Sequence, residues 1–353
     1  MDPHENPPPR NPSPSDPFDP AGTAEESAAD QANHNPYLVP HQAATTLQAN
    51  PAANNQRVRP RWWTSLAVAG VALAVFLLVS SVCLVLAVVI VNGGVPSSPE
   101  EMAEGLTAAL ATRMGLVLIV IPQFFMVAVP IAAAVMSPVE TRQRLGLVRG
   151  SWPVWAWIAA ALTTPLIGLV SGGLLGLFLE ESEALKQMSE VFRGHGQSGF
   201  LFPLAMMIGL TPAICEELLF RGYIQTRLTK SFAPMAGIIL SSFLFAAFHM
   251  DFVHVVAVFP LGLFLGWISW RSGSLFPAMM AHFVNNVISV VAVVMAPEDA
   301  TDVLGLPTLM ITSLILVSGL VGTGAVILAS IKYGRPDQIA EATPTAATPT
   351  QLI

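Results

Sequence analysis

The sequence predicts an all-α fold: a polytopic transmembrane helix bundle of eight spans between two disordered tails. Three observations predict it. Only 11% of the 353 residues are charged and 53% are hydrophobic, against about 25% charged in a soluble globular domain. The apolar residues collect in eight segments, most of them close to or above the roughly 20 residues that a spanning helix needs. The stretches between those segments are basic and acidic by turns, as loops on opposite sides of a membrane are.

Taken in order, residues 1–60 are rich in Pro, Asn, Ala, Ser and acidic residues with few aliphatics. Such a stretch buries too little apolar surface to offset the entropy of ordering, so a disordered N-terminal tail is expected. It lacks the apolar core of a secretory signal, and the first apolar segment, after Trp63, is too long for one. Residues 61–333 form the expected transmembrane domain, with segments near 62–91, 112–136, 153–179, 199–228, 233–250, 253–270, 275–296 and 307–331. The fifth and sixth are short and nearly continuous, so one of them is expected to be tilted or incomplete. Residues 334–353 read as a second disordered tail, and their last four, TQLI, lack the cysteine of a prenylation box.

Arg57, Arg59 and Arg61 precede the first segment, and Glu100, Glu101 and Glu104 follow it. Arg142, Arg144 and Arg149 come next. The following loop holds Glu180, Glu181, Glu183 and Glu190 against Lys186 and Arg193. Arg227 and Lys230, then Arg271, occupy the later basic turns. Glu298, Asp299 and Asp302 precede the last segment, and Lys332 and Arg335 follow it. Excess Lys and Arg stay cytoplasmic, which predicts both termini inside a cell (plasma) membrane, and a seven-span count would break the alternation. The formal charge of −7 is spread without a basic patch, so nucleic acid is not an expected partner. Two cysteines, Cys83 and Cys215, are too few for a disulfide framework or a metal site of their own. Gly168, Gly172 and Gly176, and again Gly262 and Gly266, recur every fourth residue, a spacing that lets helix backbones approach in lipid.

Ionisable side chains inside a span cost about 2.5–3.5 kcal/mol each at a helix centre, which makes them functional candidates by default. The fourth segment carries Glu216, Glu217 and Arg221. Glu217 and Arg221 are one turn apart and placed to pair. Glu216 is rotated by about 100° from Glu217, so the two carboxylates cannot aim at one point from a regular helix. Glu217 would be held by Arg221, and Glu216 would face a cavity as a base. A buried salt-bridge lock is the plainer alternative, but it has no use for a second carboxylate. His249 lies one turn from Phe245 near the end of the fifth segment. A lone histidine in such a place is usually a satisfied core residue, and His254 and the loop residue His195 are read that way. In the seventh segment His282 and Asn286 share a face. Such donors suit an oxyanion formed in acyl transfer, although a pair of this kind also makes a helix–helix clasp. Together these residues supply the parts for amide hydrolysis. No Ser-His-Asp set and no HExxH motif occurs.

Glu216-Glu217-x-x-x-Arg221, Phe245-x-x-x-His249 and His282-x-x-x-Asn286 resemble, in order, the three motifs of the CAAX protease and bacteriocin-processing (CPBP, or Abi) family of intramembrane peptidases. That family includes the type II CAAX prenyl endopeptidases. The resemblance covers roughly residues 199–296, and three motifs in order on separate segments are specific where one would not be. It implies an endopeptidase with its site in a cavity within the membrane, acting on a membrane-associated, lipidated or CAAX-like peptide or protein. By that likeness Glu216 and His249 would activate water, His282 and Asn286 would form the oxyanion site, and Glu217 and Arg221 would brace them. Two chemistries stay open. Glu216, His249 and His282 would supply two imidazoles and a carboxylate to a divalent metal such as Zn²⁺. Metal-independent activation is favoured because it fills every role without using a residue twice.

The alternatives of a different class are a non-catalytic membrane scaffold or immunity protein of the same fold, and an ion-coupled transporter. Glu and His in spans also build proton relays. A transporter would be expected to show internal repeats with paired broken helices, and no convincing repeat is visible.

Overall fold

The computed structural model describes residues 61–296 and 306–334. The two expected tails and the acidic residues Glu298, Asp299 and Asp302 lie outside the described residues. The apolar segments form long helices: α1 (Trp63–Asn92), α3 (Arg113–Val135), α5 (Val154–Leu175), α7 (Leu201–Glu217), α10 (Phe252–Ser272), α11 (Phe276–Met295) and α12 (Leu306–Lys332). Between them stand the shorter α2 (Pro99–Leu110), α4 (Thr141–Arg144), α6 (Glu183–His195), α8 (Thr226–Ser231) and α9 (Pro234–Ala247). Two π-helical stretches, π1 (Gly196–Phe200) and π2 (Leu218–Gln225), join α6 to α7 and α7 to α8.

Among the described residues seven helices are long and apolar enough to cross a membrane, the fourth being the continuous stretch Glu183–Ser231 of which α7 is a part. The eighth expected segment is α9, whose 14 residues reach only about 21 Å at 1.5 Å per residue, short of a hydrocarbon core about 30 Å thick. It stops at Ala247, and the chain reverses through Met250, which adopts a left-handed conformation at φ 57°. Asp251 then starts α10 by accepting a hydrogen bond from the backbone N–H of His254 at 2.8 Å. The reversal leaves His249 between the short α9 and α10 instead of at the end of a full span.

Two stretches read as loops are helical. Ser98 and Ser182 each accept a backbone N–H three residues on and so start α2 and α6. His195 therefore ends a helix, not a loop; it is buried, with Nε2 3.0 Å from the carbonyl of Leu110.

The described core falls into apolar clusters that flank the polar residues. One gathers Ala72 of α1, Met126 of α3, Leu219, Phe220 and Tyr223 of π2, and Phe245 of α9. Another gathers Trp152, Ala156 and Ala160 with Leu265 of α10, Ala281 of α11 and Val326 of α12. The alanines let α10, α11 and α12 approach α5 closely. On the rim, α1, α3 and α12 leave Leu78, Ile90, Phe124 and Leu314 uncovered, the surface a bundle presents to lipid.

The two glycine series behave differently. A Cβ at Gly262 would stand 3.1 Å from Phe245 Cδ1, and one at Gly266 would stand 2.7 Å from Gln225 Oε1. An added Cβ would crowd the contact of α10 with α9 at Gly262 and with the end of the Gln225 side chain of π2 at Gly266. By contrast, a Cβ at Gly172 would meet nothing within 4 Å, and one at Gly168 would make ordinary contact with Asn285 Oδ1 at 3.6 Å. The face of α5 with Gly168, Gly172 and Gly176 is not a closely packed seam at Gly172. It is α12 that approaches α5, through Gly322, whose Cβ would lie 2.7 Å from the Ala159 carbonyl. Fourfold spacing puts glycines on one face but does not say which face a neighbour covers.

Candidate active site

Glu217 is the last residue of α7, and the helix widens into π2 directly after it. All eight residues of π2 are buried, and such widened turns are frequent at functional sites. Arg221 Nη1 donates to Glu217 Oε1 at 2.8 Å, with both side chains 0% exposed. Arg221 Nη2 donates to the carbonyl of Gly262 at 3.0 Å, and its guanidinium lies 4.2 Å from the Phe245 ring centroid. The cation is thus desolvated by a carboxylate, a carbonyl and an aromatic face at once.

The same Glu217 Oε1 stands 2.9 Å from His282 Nδ1, across 65 residues of sequence. With Nδ1 donating to Glu217, the ring turns Nε2 toward Glu216, whose Oε2 is 4.0 Å away. That separation is too long for a direct hydrogen bond. The two adjacent carboxylates do not aim at one point, as their rotation requires. They face the two nitrogens of one imidazole instead. Glu217 is closed off, while the Glu216 side chain keeps 17% of its surface exposed. Glu217 thus orients the ring, and Glu216 is the carboxylate that remains accessible. The other Glu217 oxygen, Oε2, is buried without a hydrogen-bond partner.

His249 donates from Nδ1 to the Phe245 carbonyl, 3.2 Å away, which leaves Nε2 free. The Phe245 ring stands edge-on to both His249 and His282, at centroid distances of 5.3 and 5.7 Å. No hydrogen bond or ion pair joins His249 to Glu216 directly. Its closer aromatic neighbour is His254, 4.4 Å between centroids. Asn286 donates from Nδ2 to the Ile208 carbonyl at 3.3 Å, and its Oδ1 accepts from Asn285 at 3.3 Å. One amide hydrogen of Asn286 is left for another acceptor.

The structure therefore brings together Glu216, Glu217, Arg221 and His282, with His249 reached through Phe245 and Asn286 one turn beyond His282. Sequence reasoning missed three partners: the Gly262 carbonyl, the Phe245 face under Arg221, and His254 against His249. Only Phe245 lay within a quoted motif, and nothing local to the other two marks them. Among the described residues no three His, Cys, Asp or Glu side chains are grouped to hold an ion. With Nδ1 bonded to the Phe245 carbonyl and to Glu217, His249 and His282 each present Nε2, and the Phe245 ring stands edge-on to both.

Residues 198–288 match the model of a known family, type II CAAX prenyl endopeptidase Rce1-like. The chain carries an Rce1-like segment. All seven residues named in the three motifs fall inside it. No curated protein and no solved structure matches the chain. The Rce1-like match supports a CAAX-type intramembrane protease, and the apolar helices make this an integral membrane protein.

Proposed function

We propose that the protein is an intramembrane endopeptidase that hydrolyses a peptide bond of a membrane-associated, lipidated or CAAX-like polypeptide, using water activated by Glu216 and His249 without a metal. The observation that carries this reading is the imidazole of His282 held between two glutamates, one sealed and one accessible. Glu216 takes a proton from water as the water oxygen attacks the scissile carbonyl carbon, with the free Nε2 of His249 as the second partner of that water. The carbonyl electrons move onto oxygen. His282 Nε2, when the ring carries two protons, and the remaining N–H of Asn286 donate to that oxyanion. Collapse breaks the C–N bond, and Glu216 returns its proton to the leaving amine.

Glu217 and Arg221 compensate each other's charge at 2.8 Å, which limits the cost of burying them. The alternation of basic and acidic loops supports both termini on the cytoplasmic side of the cell membrane.

The test is cleavage of a library of lipidated and unlipidated peptides by the purified full chain in lipid nanodiscs, with Glu216→Gln and chelator arms. Cleavage that survives the chelator and disappears in Glu216→Gln, with the variant's thermal unfolding unchanged, is the expected result. Equal cleavage by variant and wild type removes Glu216 as the base, and loss with chelator alone overturns the metal-independent chemistry.

A further inference from the structure

At the end of the bundle where α1 begins and α8 stops, three cations meet without a counter-charge among the described residues. Arg144 closes α4, and the next residue, Leu145, packs on π2 so tightly that a Cβ at Gly222 would stand 2.9 Å from its carbonyl. Arg227, at the start of α8, lies flat over Tyr223, 4.4 Å from the ring centroid. Lys230 follows one turn later, within electrostatic reach of both arginines. Among the described residues Arg144 donates only to the hydroxyl of Ser137, and Arg227 only to that of Thr64, at 2.9 Å. The Nε of Arg227 is buried with no acceptor, and Lys230 has no hydrogen-bond or ion-pair partner among the described residues. The neighbouring carboxylate, Glu140, accepts from Gln143 instead. Three half-buried cations that repel one another are held together by the fold, while the donors that would bind an anion go unused.

The depth of the cluster names the anion. Trp62 and Trp63, at the start of α1 beside Thr64, are 47% and 51% exposed, and Trp62 packs on the exposed Phe232 just past α8. Exposed tryptophan at the ends of spanning helices sits at headgroup level. The geometry points to a binding site for the phosphate of an anionic phospholipid, formed by Arg144, Arg227 and Lys230 and tying α1, α4 and α8 to the base of the active-site helix. The phosphate neutralises the repulsion and accepts from the unused donors. The inference does not depend on the proposed protease chemistry.

The test uses the full chain in nanodiscs of phosphatidylcholine alone and with phosphatidylglycerol, comparing wild type, Arg144→Gln/Lys230→Gln and Lys230→Gln. Native mass spectrometry reads retained lipid, and thermal unfolding reads stability. Wild type is expected to retain phosphatidylglycerol and to unfold at a higher temperature when it is present. The double variant is expected to retain it about 30-fold more weakly, as two lost surface cations imply, and to lose the thermal shift. In phosphatidylcholine alone the sign inverts: the variants should be at least as stable as wild type, because repulsion has been relieved. An undiminished shift in the variants, or no shift in wild type, overturns the site. A full shift from inorganic phosphate in phosphatidylcholine discs overturns the lipid assignment in favour of a free anion. If the double variant does not fold, the single variant with wild-type lipid retention decides the question.

Discussion

Removing one member of the Glu217–Arg221 pair should cost much more than removing both. The two side chains are fully buried and 2.8 Å apart, so solvent screening does not discount their interaction. Arg221→Met strands the Glu217 carboxylate with His282 as its sole hydrogen-bond donor and leaves the Gly262 carbonyl without the donor it has now. Glu217→Gln strands the guanidinium over Phe245. Breaking a buried pair from one side costs about 3–5 kcal/mol, whereas replacing both partners by neutral groups of similar volume is often close to neutral. The single variants should each lose about 3–5 kcal/mol, and Glu217→Gln/Arg221→Met should lose less than either, a coupling of about 3 kcal/mol or more. Reversible denaturant unfolding in mixed micelles measures this as a double-mutant cycle. Activity should not recover in the double variant, because His282 Nδ1 no longer faces a carboxylate, and second-layer partners of this kind are commonly worth about 10–100-fold in rate. Additive losses, with the double variant as unstable as the sum of the singles, would refute the account of the pair as mutually neutralising buried charges.

Three further outcomes follow from the geometry. Gly266→Ala puts a methyl group 2.7 Å from Gln225 Oε1 and should be the less stable of the two, whereas Gly172→Ala, where a Cβ meets nothing within 4 Å, should be neutral or stabilising by up to about 1 kcal/mol, both read by thermal unfolding. His254→Ala removes the ring packed on His249 and should lower kcat with little change in KM, while His254→Phe keeps the aromatic face and should restore most of the rate. Loss of activity in both would show that the imidazole, not its shape, matters. The Asp251 carboxyl is held below its ordinary value by the backbone N–H of His254 and the hydroxyl of Ser182. A depressed carboxyl contributes stability above its unfolded value of about 3.9 and loses it as pH falls through the folded one. Wild type should therefore lose more stability in that acid range than Asp251→Asn, which keeps the depressed Glu101 carboxyl, read by thermal unfolding between about pH 5 and pH 2.

The pairing of Glu217 with Arg221 was legible because both partners lie on one helix, where a spacing of four residues sets the distance. The same spacing placed His282 and Asn286 on a common face. The hydrogen bond from His282 to Glu217 was not legible, since it spans 65 residues and depends on how α11 meets α7. The widening after Glu217 has no local signal either: Leu218–Gln225 reads as ordinary helix, and its π geometry accompanies burial on every side. The glycine series makes the same point. Periodicity identified two small-residue faces, and the one at Gly262 and Gly266 is the more closely packed, since a Cβ at Gly172 would meet nothing within 4 Å.

By itself the sequence determined what lipid and the helix repeat impose: the apolar segments, the scarcity of buried charge, and which polar side chains share a turn. Hydrophobic length and a 3.6-residue period are properties of the chain before it folds. Tertiary structure alone decided that one imidazole would stand between neighbouring glutamates, that Phe245 would separate His249 from it, and that three cations would converge without a carboxylate. Those are distances between helices remote in sequence, and helix packing sets them rather than any local preference.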